Sequence, residues 1–241
     1  VRLNGGTVRV AQSLWNSITP RKFVRAVDDL LPDEISFLDV REVPMDWNPR
    51  MAVHRIYRYR LEGIEFWNDP GNIFAEWLKL FEGTYNASNF ARLEPGKNPI
   101  RTVHSCTSWI VGGRTVGFEI IGEAFLWNQV RRTAMALHLL ALGEISKEDV
   151  QRAIDEPEIE VDFGVAPPDW LILWGVEWED APIPKSDEST CNFSPAPVPS
   201  REAERTMRKR WRQGARLEMK RMLYLEWMQL GQLPVAYHKS N

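Results

Sequence analysis

The chain has 241 residues, 44% of them hydrophobic and 26% charged, with a formal net charge of −3, enough length for one large domain or two small ones and an ordinary balance for a soluble globular core. Cys106 and Cys191 lie far apart, with no C-x-x-C and no neighbouring histidine pair, which excludes a zinc pattern and a disulfide framework and fits a reducing cytoplasm. No apolar run approaches the about 20 residues of a membrane-spanning helix and no signal peptide is legible, while a first residue of Val1 rather than methionine leads us to expect a missing N-terminal portion.

Asn4-Gly5-Gly6-Thr7 is a turn signal, and Thr7 to Ala11 alternates as a strand would. Thr19-Pro20 predicts a helix start, with Thr19 as cap, Pro20 at the first position and Phe23, Val24, Val27 and Leu30 on one face. Leu31-Pro32 ends it, and Ile35 to Val43 reads as a second strand. After the loop Trp47-Asn48-Pro49-Arg50, the run His54 to Leu61 predicts a strand with Arg55, Tyr57 and Tyr59 on one face and His54, Ile56, Arg58 and Arg60 on the other. Phe74 to Phe81 is a short helix ending at Gly83, and Pro95 to Asn98 is a loop. Arg101 to Val111 and Arg114 to Ile121 form a hairpin through Gly112-Gly113, the strongest local signal in the chain.

From about Trp127 to Leu142 the apolar residues Val130, Ala134, Leu137 and Ala141 recur at helical spacing, and Gly143 supplies the left-handed stop. Arg131 sits in the first turn of this apolar helix, where a guanidinium either snorkels to the surface or holds an anion in a polar cleft. Ser146 to Asp149 has the form of a capping box and starts a helix to about Asp155. Ala166-Pro167-Pro168 feeds a closing strand that runs to Trp178. The Pro- and Ser-rich stretch 180–200 is a linker, and Arg201 to Leu230 is a basic helix with a candidate break at Gly214. The layout is α+β: an antiparallel or mixed sheet with helices on one side and a helical C-terminal extension.

A negative total argues weakly against nucleic acid, but a phosphate-binding surface needs only a local basic field. Between Arg201 and Arg221 there are nine Lys or Arg against three Glu, so the charge is segregated. Eleven tryptophans mark heavy aromatic packing and stacking surfaces. Taken alone, Tyr57 and Tyr59 read as sheet-core aromatics; the arginines Arg50, Arg55, Arg58 and Arg60 around them, which resemble a surface that tracks phosphates, shift the reading towards rings for a flipped base. The histidines His54, His104, His138 and His238 show no ligand spacing, and His138, within the apolar helix, reads as a core residue.

Phe125-Leu126-Trp127-Asn128-Gln129-Val130-Arg131 resembles the F-L-x-x-x-V-R segment of the tRNA pseudouridine synthase A family, and Ala52 to Tyr59 is similar to that family's A-x-x-R-x-Y-x-Y strand. Ala166-Pro167-Pro168 with Leu171, Leu173 and Val176 resembles its closing strand, with Trp170 in place of a glycine, while Phe81 to Phe90 matches its F-x-G-x-H-D-F-x-x-F loop only at Phe81, Gly83 and Phe90. Arg2-Leu3-Asn4-Gly5-Gly6, followed by Gln12, falls where the family has R-T-D-x-G and a glutamine. The resemblance covers about residues 1 to 178 and implies a division into 1–45, the remainder of an N-terminal catalytic half whose earlier part is absent from this chain; 46–179, the C-terminal half; a 180–200 linker; and a 201–241 basic tail.

The resemblance implies isomerisation of uridine to pseudouridine in the anticodon arm of tRNA, without metal or organic cofactor, by a homodimer in the cytoplasm, or in the nucleus of a eukaryote. Uracil is detached from its ribose, turned and rejoined through carbon 5, with an aspartate attacking or taking a proton. By the same resemblance Arg131 holds that catalytic anion, Tyr57 stacks on the base, Arg2 helps extrude the nucleotide, and Arg50, Arg55 and Arg58 contact RNA. Asn4 occupies the aspartate position. A neutral amide offers no base of comparable strength and no charge for Arg131 to hold. Three accounts stay open: an introduced inactivating substitution, a natural loss of catalysis, or an Asn-Gly site that regenerates aspartate by deamidation. Beside the enzyme stand two other readings, a non-catalytic RNA-binding protein on the same scaffold and a protein-interaction module that docks through tryptophans and the basic helix.

Overall fold

The structure, a computed structural model, describes residues 9–31, 37, 40–179, 198–199 and 205–232, with the backbone alone for 205–210 and 227–232. Gly112 and Gly113 take φ of 57° and 75°, the pair of positive values that a two-residue hairpin turn demands. Around that turn β3 (Ile100–Val111) and β4 (Arg114–Gly122) fold back on each other. With β1 (His54–Tyr59), β2 (Gly83–Asn86) and β5 (Leu171–Glu177) they make one five-stranded sheet in the order β2-β3-β4-β1-β5, antiparallel at every pairing. Gly117 is required by this closeness: a Cβ there would come within 1.9 Å of the Tyr59 carbonyl oxygen.

Cross-strand register sorts the β1 side chains. Tyr57 pairs with Ile120 and Tyr59 with Phe118, placing these four on one face, while Arg58 opposite Glu119 belongs to the other. On the tyrosine face Tyr59 stacks on Phe118 (6.2 Å between centroids, 24°) and the packing continues into Val130, Ala134 and Leu137 of α4 (Gln129–Leu142). Gly143 ends α4 at φ 70°. The short helix α3 (Phe74–Lys79) and the capping-box helix α5 (Lys147–Asp155) pack into the same core. His138 is buried and lies face to face with Trp67, a core histidine as its position in the apolar helix predicts.

The opposite face is closed by the last helix, α6 (Arg205–Gln232). Among its described side chains, Ala215, Met219, Met222 and Leu223 are buried. Arg58 reaches from β1 to Glu226 of α6 at 2.8 Å and to Glu119 of β4 at 2.7 Å, with Trp174 and Trp109 against its guanidinium at 4.5 and 5.5 Å. Arg60, completely buried, donates to Glu62, to Glu218 and to the Ala215 carbonyl. The expected C-terminal helical extension is therefore what covers this second face, and α6 runs unbroken through Gly214.

The N-terminal segment departs furthest from expectation. α2 (Pro20–Asp28) forms with Thr19 capping the Lys22 N–H, but it stops before Leu30, which is 86% exposed. Arg9 and Val10 are outside any strand, and Gln12–Ser17 forms a short helix, α1, that the alternation does not announce. Phe37 and Val40 to Val43, the described part of the second expected strand, are not in a sheet. Trp15, Phe23 and Phe37 meet edge to face instead, and the Trp15 indole N–H donates to Glu42. Thr7, Val8 and most of Ile35 to Asp39 lie outside the described residues.

Candidate active site

Arg131 enters through the connection between β4 and α4. Its side chain is fixed at two points: Nε donates to the Ala166 carbonyl at 2.6 Å and Nη1 donates to Asn128 Oδ1 at 2.9 Å. The main chain adds a third tie, since the Ala166 N–H donates to the Arg131 carbonyl at 3.2 Å. Asn128 can make its bond because its backbone is left-handed at φ 64°, a conformation that asparagine tolerates better than most residues. Nη2 of Arg131 donates to no atom of the described residues and is the guanidinium edge left for an anion. The surface-snorkelling alternative does not hold for this arginine: the side chain is only partly exposed and is held on both sides.

Tyr59 and Arg131 share one support. The Tyr59 hydroxyl donates to the carbonyl of Pro167 at 2.8 Å, next to the Ala166 carbonyl that Arg131 uses. Burial pushes the Tyr59 phenol well above its ordinary 10, and the nearby Arg131 charge opposes only part of that rise. Tyr59 is thus a neutral hydrogen-bond donor in the core. The Ala-Pro-Pro segment, besides feeding a core strand, positions two side chains of the site.

Tyr57, two residues earlier on the same face, meets the ring of Phe125 edge to face, 5.3 Å between centroids at 85°. Phe125 belongs to the segment that leads into Arg131, so the strand tyrosine and the helix arginine are joined through a common stretch of chain. Tyr57 is only partly buried, the condition a stacking ring needs.

The arginines expected to face RNA are placed unequally. Arg50 is exposed, in the loop before β1. Arg55 donates to the carbonyls of Ala52, Arg50 and Glu123, tying that loop to the end of β4. Arg58 is 5% exposed and held between two carboxylates behind the sheet, so its charge is spent within the fold and it is not on the tyrosine face. Arg2 and Asn4 lie outside the described residues. Asn128, Phe125 and the Ala166 carbonyl are the positioning groups that the sequence reading passed over. The one local sign was an asparagine three residues before the arginine, at the joint between strand and helix.

His54 and His104 find acidic neighbours across the sheet: Glu177 at 3.2 Å from His54 and Glu123 at 3.9 Å from His104. Among the described residues no cluster of three or more His, Cys, Asp or Glu has a metal-binding arrangement.

One face of the sheet thus carries a partly buried tyrosine joined through Phe125 to the segment that holds Arg131. The family described as tRNA pseudouridine synthase matches residues 78–179. Proteins named tRNA pseudouridine synthase A are similar over more of the chain. That of Thermococcus onnurineus is 36% identical over 147 residues, 61% of this chain and 53% of its own length. That of Thermococcus gammatolerans is 40% identical over 144 residues, 58% and 51%. That of Methylacidiphilum infernorum is 30% identical over 183 residues, 67% and 69%. The chain belongs to the tRNA pseudouridine synthase A family. It spans about half the length of the Thermococcus relatives it matches.

Proposed function

We propose that the protein is a tRNA pseudouridine synthase that isomerises uridine to pseudouridine in the anticodon stem-loop. The observation that carries this reading is the immobilised Arg131, whose Nη2 has no partner among the described residues, on the side of the sheet where Tyr57 packs on Phe125. In the reaction the bond from uracil N1 to the ribose breaks, the freed base turns, and a bond from C5 to the ribose replaces it, with the C5 proton removed and N1 protonated. Arg131 is placed to orient an aspartate at residue 4, the form that Asn4→Asp or deamidation of Asn4 supplies, by a charge-assisted hydrogen bond; Tyr57 supports the base as it turns, Arg2 keeps the nucleotide extruded, and Arg50 contacts the backbone. Arg55 serves by holding the Arg50 loop. The enzyme is read as a homodimer of the cytoplasm, or of the nucleus in a eukaryote.

Asn4 favours one second reading, a scaffold that binds tRNA without turning it over. Incubation with unmodified tRNA transcript, followed by nucleoside analysis, separates the two once mass spectrometry has established residue 4 as Asn or Asp. Under the second reading a chain with residue 4 still Asn binds tRNA without forming pseudouridine and Asn4→Asp forms it; pseudouridine from the unmutated chain with residue 4 still Asn overturns that reading. Failure of Asn4→Asp to form any pseudouridine overturns the enzymatic reading. Absence of tRNA binding by either chain overturns both.

A further inference from the structure

Trp127 stands immediately before Asn128, one of the two groups that fix Arg131, yet its indole is 53% exposed. It is not loose. Its carbonyl accepts the Arg92 N–H at 2.9 Å in an isolated antiparallel bridge. The Arg92 guanidinium lies over the indole at 4.5 Å from the ring centroid. Arg92 is itself exposed and makes no ion pair among the described residues. A bulky ring therefore stays in solvent, oriented by a backbone tie on one side and a cation on one face, with the charge of that cation unspent.

The fold does not need this pair for its core, because neither residue is buried. An exposed ring braced by an arginine is the arrangement that recognises an unpaired nucleobase together with its phosphate: the ring offers stacking to any base, and the guanidinium offers charge to the backbone. Its place in the chain is equally specific. Trp127 is four residues from Arg131 and two from Phe125, the ring that holds Tyr57.

We propose that Trp127 and Arg92 form a stacking subsite for the unpaired nucleotide next to the target uridine in tRNA. The subsite rests on the tRNA reading above and adds a contact which neither the family's motif residues nor the comparisons assign. It anchors the neighbouring base while the uridine is out of the stack, so that extrusion of one nucleotide does not release the strand.

The test is a titration of unmodified tRNA transcript with the full chain, at two salt concentrations, using the unmutated protein, Trp127→Ala, Trp127→Phe and Arg92→Ala. Loss of stacking in Trp127→Ala is expected to weaken binding by about tenfold or more, and Trp127→Phe, which keeps an aromatic face, to stay within about threefold of the unmutated chain. Arg92→Ala is expected to weaken binding and to reduce the slope of log affinity against log salt by about one. Thermal unfolding of each variant serves as the control for folding. If the unmutated chain binds tRNA and Trp127→Ala binds it equally well, the subsite is overturned while the tRNA reading stands. If the unmutated chain does not bind tRNA at all, the reading and the subsite fall together.

Discussion

Asn128 and Arg131 hold each other three residues apart: the amide oxygen of one accepts the Nη1 of the other at 2.9 Å, from a backbone turned left-handed at φ 64°. The arginine's direction is thus set by a residue whose own conformation is unfavourable for most side chains. Side chain and backbone at position 128 do separate jobs, and substitutions can divide them.

Asn128→Gly relieves the left-handed backbone but removes the oxygen. We expect a thermal midpoint close to that of the unmutated chain together with at least about a tenfold loss of pseudouridine formation in the Asn4→Asp background, on the scale of one lost charge-assisted bond. Asn128→Ala adds about 1 kcal/mol of backbone strain. Equal activity of Asn128→Gly and its parent would remove the positioning role.

Tyr57→Phe keeps the ring and its edge-to-face contact with Phe125, and Tyr57→Ala removes both. If stacking is what the residue supplies, affinity for tRNA survives in the first and falls by about tenfold in the second. A Phe variant as weak in binding as the Ala variant would assign the contribution to the hydroxyl instead.

Glu62, only 2% exposed, accepts from Arg60 and lies 2.7 Å from Arg114 Nε. Burial raises its pKa above the ordinary 4.5, with Arg60 and then Arg114 pulling the other way. The folded chain therefore binds this proton more tightly than the unfolded one, and the stability linked to it is complete below the unfolded pKa and is lost as pH rises through the folded one. Urea midpoints measured upward from about pH 4 should fall less steeply in Glu62→Gln than in the unmutated protein. Identical slopes would count against the shift.

Gly117→Ala forces a methyl to within 1.9 Å of the Tyr59 carbonyl, at a contact between two central strands that neither can leave. A loss of about 3 kcal/mol or more is expected, read as a drop in urea midpoint. A soluble, equally stable Ala variant would mean that β1 and β4 are further apart than described.

Cys106 is buried in the sheet core, and burial, with Glu82 nearby, lifts its thiol well above the ordinary 9.0. Thiolate is the reactive form, so this cysteine should resist alkylation at neutral pH in the folded chain and react once the chain is unfolded in urea. Mass spectrometry of the labelled peptide reads the result.

What was legible in the sequence is what short spacing determines. Gly112-Gly113, the capping box at Ser146, Thr19-Pro20 and the helix that ends at Gly143 each depend on residues within a few positions of one another, and each forms as read. The contact of Tyr57 with Phe125, in the segment that leads into Arg131, was not legible from spacing, since strand and helix periodicity set faces and not partners. The buried arginines show the limit. Alternation placed Arg58 and Arg60 on the face away from Tyr57 and Tyr59, but whether that face met water or protein depended on Glu226 and Glu218, 168 and 158 positions downstream. The first segment shows a related limit: alternation over the five residues Thr7 to Ala11 is weak information, its described part is not in a strand, and it says nothing of the short helix Gln12–Ser17 that buries Trp15 just beyond it.

The back of the sheet has one more bearing, on how the gene tolerates shortening. A reading frame closed before α6 would remove the buried Ala215, Met219, Met222 and Leu223 from the core and strip Arg58 and Arg60 of their carboxylate partners on that helix. The product would not be a trimmed catalyst but a sticky, poorly folding polypeptide, although every motif that marks the family lies upstream of the cut. Domain dissection that trusts those motifs alone will stop too early.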